Sequence, residues 1–208
     1  MKKYALLFVF CLFFFHSAFS SANVLLNNSF ETAGGNVGEN WTQFGEAYRV
    51  AEGGAHPSAQ DGSYMLLINT QGTGGDGNGA FQICNWTENT DYTFTGYYRI
   101  EAELPADYTT FLKVEYYNAS ESYISATEGV KMSALTDGWT FYELSGTTPA
   151  NTASVRFVPI IWGTTSETLL NTVYWDNLSA VPEPGAMLLG AMGLLIIPAY
   201  KKFKGKTV

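Results

Sequence analysis

An all-β sandwich is the fold class the sequence predicts for residues 23–180 of this 208-residue chain, and three observations carry it. Short runs rich in Tyr, Phe, Val, Ile and Thr alternate apolar with polar side chains at the period of two that a half-buried strand requires. Gly- and Asn-rich connectors separate those runs, notably 71–79 (QGTGGDGNG), and supply the backbone freedom that turns need. No window of the region shows a sustained helical period.

In chain order, strands are expected at Val24 to Phe30, Gln43 to Val50, Ser63 to Asn69 and Ala80 to Trp86. Tyr92 to Ile100 puts Tyr92, Phe94, Tyr98 and Ile100 on one face and Thr93, Thr95, Tyr97 and Arg99 on the other. The clearest strand is Tyr108 to Asn118, where Leu112, Val114 and Tyr116 alternate with Lys113, Glu115 and Tyr117. Trp139 to Leu144, Ala153 to Ile161 and Thr172 to Ser179 complete a set of about nine or ten strands. One domain of this size encloses a real core.

Both ends of the chain read as signals. Residues 1–22 form a secretory signal peptide, with Lys2 and Lys3 as its charged start, Tyr4 to Phe15 as its apolar run and Ser20-Ser21-Ala22 as the cleavage site. An uncleaved anchor is the alternative. Residues 181–208 have three parts in order: Pro182-Glu183-Pro184, an uncharged apolar run over 185–200, and a basic tail over 201–208 with Lys201, Lys202, Lys204 and Lys206. As a helix the 16-residue run spans about 24 Å, slightly short of the ~30 Å hydrocarbon core, and it is expected as a single transmembrane helix. The four lysines act as a membrane stop signal on the cytoplasmic side. The prolines keep the preceding segment extended and open to a processing enzyme. The body between the two signals is therefore expected to be exported, and a plain single-pass membrane anchor is the alternative for the tail.

The body is acidic. It holds 18 of the 19 Asp and Glu against five basic residues (Arg49, Arg99, Lys113, Lys131 and Arg156), a net of 5 − 18 = −13. A surface of that sign repels phosphate backbones and anionic lipid, so nucleic acid is not an expected partner. Cation binding or contact with neutral sugars fits better. Cys84 is the sole cysteine after Ala22, which excludes an internal disulfide in the body and reads as a small buried hydrophobe. One cysteine and one histidine (His56) in the body are too few soft ligands for zinc, and His56 has no nucleophile signature around it. No catalytic residue is assigned. A glycosidase needs only a suitably spaced carboxylate pair, so a small glycan-active enzyme stays as an alternative.

Pro-Glu-Pro, a short Gly/Leu-rich apolar run and a basic end together resemble a PEP-CTERM sorting signal. The resemblance implies that an exosortase of a Gram-negative, polysaccharide-exporting bacterium processes the chain at Pro182, Glu183 and Pro184. It further implies a transient stay in the inner membrane and delivery to the cell surface or extracellular matrix. Pro198, late in the apolar run, and lysines in place of arginines depart from the family pattern.

Four segments of the body resemble carbohydrate-binding modules of the jelly-roll, galactose-binding-like type. These are Asn23 to Glu31 followed by Trp41, Asp61-Gly-Ser-Tyr-Met-Leu, Asp91 to Tyr98, and Gly138-Trp139 through the closing Val173-Tyr-Trp-Asp-Asn-Leu-Ser179. The resemblance implies a jelly-roll-like β-sandwich with Trp139 and Trp175 in its core. It also implies a structural calcium tying the first strand to the last through Glu31 and Asp176, with Asn28 or Asp61 as added ligands. Calcium suits carboxylate and carbonyl oxygens, of which it takes about six to eight. Glycan contacts need flat aromatic faces, and Trp41, Trp86, Trp162, Tyr97 and Tyr117 are the candidates. The expected function is that of an exported, non-catalytic surface or matrix protein that holds exopolysaccharide.

Overall fold

The computed structural model describes residues 22–71, 77–164 and 171–183. Residues 1–21 of the expected signal peptide lie outside the described residues, as do Pro184, the apolar run 185–200 and the lysines Lys201, Lys202, Lys204 and Lys206. Among the described residues no helix is long and apolar enough to cross a membrane. Asn23–Val181 form one compact unit.

The unit contains ten strands: β1 (Thr42–Phe44), β2 (Ala47–Ala51), β3 (Tyr64–Asn69), β4 (Asn78–Asn85), β5 (Asp91–Ile100), β6 (Tyr108–Tyr117), β7 (Tyr123–Glu128), β8 (Thr140–Thr147), β9 (Ser154–Gly163) and β10 (Thr172–Pro182). They build two five-stranded sheets, the first in the order β1-β4-β9-β6-β7 and the second in the order β2-β3-β10-β5-β8. The inner faces meet in one apolar core. Strand β5 shows the cause most plainly: Tyr92, Phe94, Tyr98 and Ile100 are buried, while Thr93, Thr95, Tyr97 and Arg99 between them are only half-buried. In β6 the expected Leu112, Val114 and Tyr116 fill the same core, which also holds Trp175 with no exposed surface.

Four expectations change. Val24 to Phe30 is a bent and turned segment and not a strand: Asn27 and Phe30 adopt left-handed backbone conformations (φ 48° and 58°), and two such residues within four positions break the extended course of the chain. Gln43 to Val50 is two strands in different sheets. Gly45 breaks the run at φ 59°, where an added Cβ would also run into the Asn78 side chain. Strand β7 was not legible, since Tyr123, Ile124 and Thr127 favour a strand but the Ser125, Ala126 and Glu128 among them leave its YISATE sequence without a clear alternation. Trp139 lies outside the main core, half-buried in a small outer cluster with Met65, Leu67 and Tyr174, its Nε1 donating to the Ser58 carbonyl at 2.8 Å.

Candidate functional site

The outer face of the first sheet follows from register. Glu115 on β6 pairs with Arg156 on β9, which pairs with Ile83 on β4; Lys113 pairs with Val158, and Thr109 with Trp162. Their neighbours of opposite parity (Val114, Phe157 and Val155) are in the core, so this set points outward. A depression of about 230 Å³ sits in the middle of the face, lined by Phe44, Phe81, Lys113, Glu115, Arg156, Val158 and Ile160.

The guanidinium of Arg156 lies between two rings, its Cζ 4.7 Å from the Phe81 centroid and 4.3 Å from that of Tyr117. Phe44 stands beside Phe81 at 6.3 Å, and Tyr123 meets Tyr117 edge-on at 5.8 Å. Glu115 serves both neighbours on its own strand: Lys113 Nζ is 2.9 Å from Oε1, and the Tyr117 hydroxyl donates to Oε2 at 2.8 Å. Burial and that bond push the Tyr117 hydroxyl up to about 12, so it stays a donor at neutral pH. Further along the face, Lys131 Nζ sits 5.3 Å from the Trp162 centroid and 5.1 Å from that of Phe111. Flat rings beside fixed polar groups can stack on the C–H faces of a sugar and bond its hydroxyls.

The five expected glycan contacts separate. Tyr117 and Trp162 share this face. Tyr97 is on the outer face of the second sheet, edge-on to Phe141 at 5.4 Å. Trp41 is in the core, 5.2 Å from Phe30, with Nε1 donating to the Asn27 carbonyl at 3.0 Å. Trp86 is also in the core, at one end of the sandwich, where its edge lines an open depression of about 840 Å³ with Glu88, Asn118 and Asn151. Its ring packs edge-on against Phe157 at 5.4 Å, and its buried Nε1 has no hydrogen-bond partner. Sequence reasoning missed Phe44, Phe81, Tyr123 and Arg156. Alternation in Val155-Arg156-Phe157 is the one signal that could have placed Arg156 outward.

Glu31 and Asp176 both reach the turn that precedes β3. Glu31 Oε1 accepts from Ser63 N at 2.9 Å and Tyr64 N at 2.8 Å. Asp176 Oδ2 accepts from Gln60 N and Asp61 N, each at 2.9 Å, and Oδ1 from Asn177 N at 2.7 Å. Three of the four carboxylate oxygens therefore already accept N–H bonds, and Asp61 Oδ2 accepts from the Ser29 hydroxyl at 2.9 Å. Among the described residues no group of three or more His, Cys, Asp or Glu is arranged to hold a metal. Through these bonds Glu31 and Asp176 form a hydrogen-bonded clip that joins the opening turn and β10 to the turn before β3. Burial pushes Asp176 up to about 7, with Asp61 adding to the shift and the three backbone bonds opposing it. Cys84 is half-buried, and burial pushes its thiol up to about 11, which makes it a poor nucleophile.

No protein-family model and no curated protein sequence matches the chain. Solved structures do match in fold. The xylan-binding domain of Paenibacillus barcinonensis aligns over 79% of this chain and 97% of its own, at 16% identity and a TM-score of 0.55. A family 22 carbohydrate-binding module of Clostridium thermocellum aligns over 80% and 96%, at 20% identity and 0.54. A family 61 module in complex with β-1,4-galactotriose aligns over 78% and 100%, at 14% identity and 0.51. The chain spans only 22% of the bacteriophage CBA120 tailspike protein 4 structure and 26% of an arabinose-bound α-L-arabinofuranosidase, which it also matches. At such identities the likeness is one of fold: the described residues form an all-β, two-sheet sandwich matching jelly-roll carbohydrate-binding modules.

Proposed function

We propose that this is an exported, non-catalytic module that binds a polysaccharide through the outer face of its first sheet. The observation that carries the reading is Arg156 held between the rings of Phe81 and Tyr117, on the face that also displays Trp162. The shared fold supports it, since matching modules are described as xylan-binding or hold β-1,4-galactotriose. The non-catalytic half of the reading is supported by the same likeness, since most of the matching structures named above are carbohydrate-binding modules.

Delivery belongs to the same proposal. Pro182-Glu183-Pro184, the apolar run and the lysine tail address the chain to an exosortase, and the trimmed module remains at the cell surface or in the matrix with the polysaccharide it binds. Glu31 and Asp176 act in it as the clip described above. Two experiments test the reading. Affinity electrophoresis of the full chain through gels containing xylan, galactan or exopolysaccharide should show retardation that Trp162→Ala and Tyr117→Ala reduce. Intact mass of the released protein should lack the lysine tail, and identical trimming in cells without an exosortase overturns the sorting half.

A further inference from the structure

Three of the body's five basic residues, Lys113, Lys131 and Arg156, gather at one sheet face of an otherwise acidic unit. The other two are engaged elsewhere. Arg49 donates to the carbonyls of Phe30 and Glu31, and Arg99 pairs with Glu101 at 2.9 Å. Within the face, Lys113 pairs with Glu115 and Lys131 with Glu128 at 3.2 Å. Arg156 shares Glu115 with Lys113, and its ion pair is the longest of the four among the described residues, at 3.9 Å. Both oxygens of Glu115 are already claimed, by Lys113 and by the Tyr117 hydroxyl, and Arg156 Nη1 stands 3.9 Å away, beyond hydrogen-bond reach. Among the described residues its guanidinium makes no hydrogen bond, although its Cζ lies 4.7 and 4.3 Å from two ring centroids, and about a third of its side chain is open to solvent.

A guanidinium flanked by rings and with no hydrogen bond on its N–H fork matches the planar oxygens of a carboxylate, which it binds bidentately at about 2.7–2.9 Å. We infer that the polysaccharide bound on this face carries uronic-acid units, with Arg156 receiving the sugar carboxylate while Tyr117 and Phe81 flank the ring that bears it. The inference rests on the polysaccharide-binding reading and specifies its ligand. The net charge of −13 does not forbid it. The Debye length is about 8 Å at physiological salt, so acidic groups elsewhere on the unit are screened while a contact pair is not.

The test compares polygalacturonate with the same polymer fully methyl-esterified, a change that removes the charge and keeps the sugar, using the full chain in detergent and isothermal titration calorimetry. Polygalacturonate should bind roughly tenfold or more tighter than its ester, a ratio equal to about 1.4 kcal/mol. Arg156→Gln should bring the two to parity. Arg156→Lys should recover only part of the preference, because an ammonium lacks the fork. Tyr117→Phe should also lower the preference, since it frees a Glu115 oxygen to capture Arg156. Equal binding of both polymers by the unaltered chain overturns the uronate inference and leaves polysaccharide binding standing. Absence of binding to these and to xylan and galactan overturns both. A preference that survives Arg156→Gln and vanishes with salt marks diffuse charge attraction, which also overturns the inference.

Discussion

Trp175 on β10 donates its Nε1 hydrogen to Thr110 Oγ1 on β6 at 3.0 Å, a buried hydrogen bond that crosses the core from one sheet to the other. Thr110 passes its own hydrogen to the Ile160 carbonyl on β9 at 2.9 Å. A second crossing runs from Tyr92 on β5 to Tyr116 on β6 and on to Thr127 on β7, with each oxygen pair 2.6 Å apart. Apolar packing is non-directional and tolerates small slips between layers. Two satisfied polar chains fix how the sheets stack, and with them the spacing of residues on the outer face.

The Trp175–Thr110 bond makes Thr110→Val and Thr109→Val an informative pair. Thr110→Val leaves the indole N–H buried and unpaired, and should cost about 1–3 kcal/mol of stability. The Thr109 hydroxyl is buried with no partner, so Thr109→Val should be neutral or slightly stabilising. Thermal denaturation of the two variants checks this. Equal losses would show that the crossing bond contributes nothing specific.

The buried carboxyl of Asp176 predicts how stability varies with acidity. Its folded value is raised to about 7 from an ordinary 3.8, so between those limits the native state holds a proton that the unfolded chain has lost. The stabilising contribution is present below the unfolded value and is lost as pH rises through the folded one. Its local slope approaches about 1.4 kcal/mol per pH unit, and it levels off above neutrality. Melting midpoints measured from pH 4 to 8 should show this fall, and Asp176→Asn should flatten it. An unchanged slope in the variant would mean that other groups carry it.

Metal removal separates the hydrogen-bonded clip from a calcium site. Because Glu31 and Asp176 already accept backbone N–H bonds, a chelator should leave the melting midpoint unchanged. A drop that calcium restores would show that an ion ties the opening turn to the last strand.

How much of this was legible in the sequence depended on whether a residue's role is local. Alternation along Tyr92 to Ile100 and Tyr108 to Tyr117 gave the core face of two central strands directly, because the side-chain period of a strand is independent of its partners. The opening segment misled because Val24-Leu25-Leu26 looks like a strand, whereas the left-handed Asn27 and Phe30 that stop it have no compositional mark as strong as glycine. The outer face was half readable. Tyr117 stands on the polar-leaning face of its strand and Trp162 is a tryptophan left over from the expected core, but the partners that make a surface of them, Phe81 and Arg156, come from β4 and β9, and only register lines these strands up with β6. Trp41 and Trp86 show the converse. Aromatic content alone does not separate an exposed stacking ring from one packed in the core, as Trp41 is on Phe30 and Trp86 on Phe157.

The outer face of the first sheet is tested most directly by titrating a polysaccharide into the full chain and into Tyr117→Ala and Trp162→Ala, each checked for an unchanged melting profile. Stacked aromatic contacts are worth about 0.5–1.5 kcal/mol beyond the area they bury, so each substitution should weaken binding several-fold, with Tyr97→Ala on the opposite sheet leaving it unaltered. If the Tyr117 and Trp162 variants bind as the unaltered chain does, or if Tyr97→Ala alone abolishes binding, the face formed by β1, β4, β9, β6 and β7 is not where this protein meets its ligand.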